Sequence, residues 1–134
     1  MPQFELDHGS EHESFMGLDT FTQGYIEAMF WTEAHADNPE LDGAAFDELA
    51  PSALALIKGD CLDFQESYGD LLDRAEDEFN YLDGGVDFWL TRNRHGAGFW
   101  SRDLESIGRE LTDAAHIYGE SYIYRGDDGL IYIE

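Results

Sequence analysis

Arg92, Arg94 and His95 lie close together inside the stretch Val86–Arg102, which reads VDFWLTRNRHGAGFWSR. Two guanidiniums at that spacing suit an anionic substrate, and a histidine beside a carboxylate suits general-base work. Asp87 precedes the trio and Asp103 follows it, so either would orient the imidazole. Gly96 and Gly98 permit backbone conformations that turn N–H groups toward an anion. Against this, no serine or cysteine adjoins the histidine, and the G-x-G precedes Phe99-Trp100 rather than a phosphate-binding helix start. The stretch therefore reads chiefly as structure. Gly96 and Gly98 make a bend, Trp89 and Trp100 fill the core, and the arginines pair with nearby acids. No catalytic residue is assigned, and the chain reads as a binding protein more readily than as an enzyme.

Metal chemistry is the second possibility. His8-Gly9-Ser10-Glu11-His12 has H-x-x-E-H spacing, a zinc pattern that needs both histidines on one face of a stable helix and a further carboxylate. Gly9 and Ser10 oppose that helix, so the stretch reads as a polar tail. Asp60/Asp63 and Asp127-Asp128 lack the spacing of an EF-hand loop. No metal site and no cofactor are assigned.

The third candidate is a row of acids. Asp63, Glu66, Asp70, Asp73 and Asp77 recur at three- and four-residue spacing, which places them within about 80° on one helix face. Leu54, Ile57, Cys61, Phe64, Tyr68, Leu71, Leu72, Ala75 and Phe79 form the opposite, apolar arc. At a helical rise of about 1.5 Å per residue, the row places one charge about every 5 Å. Phosphates along a nucleic-acid strand rise about 3.4 Å apiece. Ordinary solvated faces mix acids with Lys/Arg at i,i+4; here only Arg74 lies near. These five acids are the candidate partner-binding residues.

The whole composition points the same way. Thirty Asp/Glu face seven Lys/Arg, a net charge of −23. Nucleic acid and anionic membranes are repelled at long range, and a basic surface is the natural partner. Apolar residues at 43% exclude intrinsic disorder. No apolar run approaches the roughly 18 residues of a membrane span. The acidic first residues lack the charge pattern of a signal peptide, and Cys61 is the only cysteine. A cytoplasmic location is expected, in the host cell if the chain is phage-encoded.

Positioning these residues requires the following elements. Residues 1–17 read as an acidic tail, with a short alternation at Phe4 and Leu6, and residues 18–134 as a single α+β domain. Thr20-x-x-Gln23 is a capping-box pattern that opens a helix running to about His35, apolar nearly all round. A short turn is expected at Ala44–Leu49. Pro51 opens a second helix that continues to about Tyr81, where Asp83-Gly84-Gly85 breaks it. Val86, Phe88 and Leu90 alternate as in a strand. Ser101 or Asp103 caps a third helix ending at Gly119, and Gly126-Asp-Asp-Gly129 links the two strands of a hairpin. The expected fold is α+β, three helices packed on a small, mainly antiparallel sheet of about three strands.

The stretch Asp87-Phe-Trp-Leu-Thr-Arg-Asn93, with His95-Gly-Ala-Gly-Phe-Trp100, resembles a family of small, acidic, uncharacterised proteins of bacteriophages and integrated mobile elements. Gly24–Glu33, Leu111–Ala115, Tyr118-Gly119 and the Gly126–Gly129 turn extend the likeness over most of residues 20–133. The family's pattern leads one to expect a glycine or other small residue where Arg94 stands. The resemblance brings no catalytic residues. It implies a phage-type interaction protein: a DNA-mimicking or charge-blocking inhibitor of a basic, nucleic-acid-binding host defence protein of CRISPR or restriction type. Two other readings fit the composition. One is a halophile-adapted accessory protein, since Lys58 is the only lysine. The other is a small enzyme or ligand binder built on Arg92, Arg94 and His95.

Overall fold

The computed structural model describes residues 13–34, 41, 44, 46–75, 80–102 and 104–134. The H-x-x-E-H stretch, the Phe4/Leu6 alternation, Asp77, Phe79 and Asp103 lie outside them. Among the described residues four helices of more than one turn form: α1 (Thr20–Ala34), α2 (Pro51–Arg74), α3 (Tyr81–Arg92) and α4 (Glu105–Ile117). A two-stranded antiparallel sheet, β1 (Ile123–Arg125) and β2 (Ile131–Ile133), completes a mostly helical α+β fold.

The expected strand at Val86–Leu90 is the middle of helix α3. Gly84 and Gly85, expected to break a helix, lie in its second turn. Asn80 caps it, its side-chain Oδ1 accepting the Asp83 N–H at 2.9 Å. Every residue from Gly84 to Trp89 is buried, so α3 shows no polar stripe and its sequence mimics alternation. The glycines let α3 press against α1. A Cβ on Gly85 would lie 1.8 Å from the Phe21 carbonyl oxygen, and one on Gly24 would lie 2.1 Å from that of Leu82. Backbones at that separation bring Phe21, Tyr25, Phe88 and Trp89 into one aromatic layer. Phe88 stacks on Phe64 of α2 at 4.3 Å, and Trp89 meets Tyr25 edge-on at 5.4 Å.

Helix α1 begins one residue after its actual cap. Asp19 rather than Thr20 accepts the Thr22 N–H (3.2 Å) and the Thr22 hydroxyl (2.6 Å). Gln23 donates instead to the carbonyls of Phe15, Met16 and Leu18, tying down the helical turn Glu13–Met16. Phe15, within the stretch expected as a tail, is buried against Phe46.

Helix α2 buries Ala53, Ile57, Cys61, Phe64 and Leu72, as its apolar spacing requires, and is kinked at Tyr68 (φ −125°, ψ 21°). It ends at Arg74, short of the expected Tyr81. The hairpin is as read: Ile123 pairs with Ile133 and Arg125 with Ile131 across the Gly126–Gly129 turn, with Gly129 at φ 84°. What stands beside β2 is no third strand but the segment before α2. Leu49 bridges Ile131 in parallel, and the Ala50 N–H donates to the Ile131 carbonyl at 2.9 Å.

Candidate functional site

The acidic row lies on the solvent face of α2. Asp63, Glu66, Asp70 and Asp73 are all exposed. The kink at Tyr68 divides them into a pair before it and a pair after it. Counting about 1.5 Å per residue, the four span about 15 Å. Both outer members are held in place. The Tyr118 hydroxyl donates to Asp63, and the Tyr81 hydroxyl donates to Asp73 at 2.6 Å. Burial, followed by the Asp63 carboxylate, pushes the Tyr118 hydroxyl above its ordinary range, so it remains a donor. These two tyrosines come from α3 and from the residue after α4. No local spacing joins them to α2, so nothing in the sequence marks them as carboxylate holders.

Arg92, Arg94 and His95 serve different ends. Arg92 is buried at the C-terminus of α3. Its Nη1 donates to Asp60 at 2.8 Å and to the Tyr25 hydroxyl at 3.1 Å. Its Nε and Nη2 donate to the carbonyls of Gly119 (2.9 Å) and Tyr118 (3.1 Å). The guanidinium also lies over the rings of Phe88 and Tyr118. Arg92 thus joins α1, α2, α3 and the end of α4, and its donors are committed inside the protein rather than offered to an anion.

Arg94 ends the helix. The His95 N–H donates to Leu90 O (2.9 Å) and the Arg94 N–H to Thr91 O (3.0 Å), which is a Schellman closure. Arg94 holds the left-handed position of that motif, φ 58°, where glycine is the usual residue. The side chain of Arg94 is exposed, whereas His95 is half-buried. Asp87, considered as a partner for His95, is instead paired with Arg102. Burial pushes its carboxyl up to about 6, against the hydrogen bond and charge of Arg102.

Of the four structural residues, Trp89 is fully buried and its indole N–H donates to Thr32 Oγ1 at 2.8 Å. Gly98 is required by close approach, since a Cβ there would lie 2.2 Å from Thr91 Oγ1. Gly96 faces open space. Trp100, expected in the core, is 52% exposed; its neighbour Phe99 takes the core position in the 3₁₀ turn Phe99–Ser101. Ser101 caps that turn through Gly98 rather than opening α4.

Asp128 accepts the Leu130 N–H and the Tyr132 hydroxyl, organising the hairpin turn. Among the described residues no three His, Cys, Asp or Glu side chains gather as a metal site, and no helix is long and apolar enough to cross a membrane. The chain matches no family model, no curated protein and no solved structure.

Proposed function

We propose that this chain is an acidic interaction protein that occupies the basic nucleic-acid site of a partner, with the exposed face of α2 as the contact. The observation that carries the reading is the row Asp63, Glu66, Asp70 and Asp73, exposed and one-signed, in a chain of net charge −23. Such a row is destabilising in isolation through like-charge repulsion, and a basic partner relieves it. Tyr118 and Tyr81 fix its two ends, so less side-chain freedom is lost on docking. The likeness to phage proteins supports a host defence protein of CRISPR or restriction type as the partner, and the host cytoplasm as the place of contact.

The test is binding to basic DNA-binding proteins, with duplex DNA as competitor, as ionic strength rises. Affinity should fall steeply with salt, and DNA should displace the chain. Replacing Asp63, Glu66, Asp70 and Asp73 by asparagine should abolish binding while leaving the helical circular dichroism unchanged. Salt-independent binding, or full affinity in the neutralised variant, would refute the reading.

A further inference from the structure

Alternation along the hairpin buries Ile123 and Ile131 and puts Tyr122, Tyr124 and Tyr132 on the opposite face. Tyr122 is 61% exposed and Tyr124 40%. The solvent side of a half-buried antiparallel pair is ordinarily polar. Tyr124 stands opposite Tyr132 with the rings stacked at 5.9 Å, and such a cross-strand pair steadies the hairpin. Tyr122 has no such reason to be aromatic. It stands opposite Glu134, with which it exchanges backbone hydrogen bonds of 2.9 and 3.3 Å. The rings are also held in place. That of Tyr132 lies against Gly126, where a Cβ would come within 2.7 Å of it. Its hydroxyl donates to Asp128 at 2.5 Å, and that of Tyr122 donates to Glu120 at 3.0 Å. Those carboxylates keep both hydroxyls above their ordinary range, so they remain donors. Glu120, Asp128 and Glu134 are exposed beside the rings. All seven lysines and arginines are among the described residues, and none pairs with these three acids. Arg125, the one cation of the hairpin, is engaged by Glu48 and the Gly129 carbonyl.

We propose that this tyrosine face docks an arginine-bearing segment of a partner protein, a guanidinium lying on the Tyr122 and Tyr124 rings and donating to the Glu120 and Glu134 carboxylates. Charge complementarity selects that occupant. A nucleic-acid strand also stacks bases on such rings, but the neighbouring carboxylates and the net charge of −23 oppose its phosphates. A second copy of the chain would set the same acids against one another. A guanidinium meets both features, because it is flat, stacks on aromatic faces and forks onto carboxylates. A lysine ammonium is a compact, strongly hydrated charge and uses the rings less well. With Tyr122 and Tyr132 already tied to carboxylates, little side-chain freedom is lost on docking. This surface uses none of the acids of the α2 row and stands whether or not that row is a contact.

The experiment titrates the full-length chain calorimetrically, at physiological ionic strength, with a Gly-Arg repeat peptide and a Gly-Lys repeat peptide of equal length and charge. So acidic a chain attracts both, and the readout is the ratio of their affinities. The arginine peptide should bind about fivefold tighter or better. Tyr122→Thr removes a ring that has no cross-strand aromatic partner and keeps β propensity. It should bring the ratio close to one with an unchanged melting temperature, and Tyr124→Thr should do the same. The Asp63/Glu66/Asp70/Asp73 asparagine variant should weaken both peptides and preserve the ratio, which separates this surface from the α2 row. Equal affinity for the two peptides overturns the proposal, as does a ratio that survives both tyrosine substitutions or vanishes in the asparagine variant. Two further results overturn it in favour of another occupant. One is binding of oligothymidylate that Tyr122→Thr abolishes. The other is a dimer, seen by sedimentation equilibrium, that the same substitution dissociates.

Discussion

Gly85→Ala adds one methyl group at the crossing of α1 and α3. Its Cβ would sit 1.8 Å from the Phe21 carbonyl oxygen and 2.8 Å from both Phe21 C and Tyr25 N. Carbon and oxygen do not ordinarily approach closer than about 3.3 Å, so the two helices must separate by more than 1 Å. Both atoms struck are backbone, and no rotamer change relieves the contact. A radial gap of 0.5–1 Å already forfeits roughly a quarter to a half of the dispersion attraction across it. That loss falls on the layer of Phe21, Tyr25, Phe88 and Trp89. Overpacking of this kind is destabilising by about 1–3 kcal/mol, occasionally more. Alanine returns about 1 kcal/mol of helix propensity. A net loss of about 2 kcal/mol is expected, lowering the melting temperature by roughly 8 °C at about 4 °C per kcal/mol. Gly59→Ala is the matched control. It too is in a helix, but its Cβ meets nothing within 4 Å, so only the propensity gain of about 1 kcal/mol remains. Thermal and urea unfolding of the two variants should move in opposite directions. Should Gly85→Ala melt at or above the parent, the close crossing of α1 and α3 is wrong.

Arg94→Gly should stabilise the chain by about 1 kcal/mol, because φ 58° at the end of α3 suits glycine; a destabilised variant in urea melts would argue against the Schellman closure. Asp87, raised to about 6 in the fold, binds its proton more tightly folded than unfolded. Its favourable contribution is therefore present below about pH 4 and lost as pH rises through 6, on the order of 3 kcal/mol. Asp87→Asn should flatten that part of the stability–pH profile, and parallel profiles for the two proteins would dismiss the effect. Arg102→Ala, which leaves the Asp87 carboxylate buried without its partner, should be destabilising by about 3 kcal/mol at neutral pH, read in the same melts. Finally, the Asp63/Glu66/Asp70/Asp73 asparagine variant should raise the melting temperature at low salt and shrink the stabilisation given by KCl. An unchanged KCl response would place the repulsion elsewhere and favour general salt adaptation over a dedicated acidic face.

The sequence exposed α2, α4 and the hairpin because each keeps one face in water. Ile57, Cys61 and Phe64 recur at helical spacing against exposed acids, and Gly126–Gly129 is a turn by composition. Helix α3 was hidden for the opposite reason. Buried on all sides from Gly84 to Trp89, it carries no amphipathic period to read. Its start was nonetheless marked, since Asn80-x-x-Asp83 is a capping pattern. The glycine pair that looks like a break is required by Phe21 and Tyr25, more than fifty residues earlier, and no local rule reveals that. The same limit applies to the site. The exposure of Asp63, Glu66, Asp70 and Asp73 followed from spacing, whereas Tyr118 and Tyr81 reach them only through the tertiary fold. The sequence favours a structural Arg92 paired with an acid, with anion binding as the alternative, but does not say which acid. The actual partners of Arg92 come from Tyr25, Asp60, Tyr118 and Gly119.

The bridge of Leu49 and Ala50 to Ile131 has a consequence for the order of events during synthesis. α1, α2 and α3 are contiguous along the chain and can associate as they emerge. The segment that leads into α2 cannot complete its backbone bonding until the hairpin has been translated and folded back across most of the chain. Closing so long a loop is slow compared with local helix formation. Until then, Leu49 and its neighbours remain an unsealed edge. A ribosome-bound chain stalled before residue 131 should be cut by protease near Leu49 and become resistant once the hairpin is released.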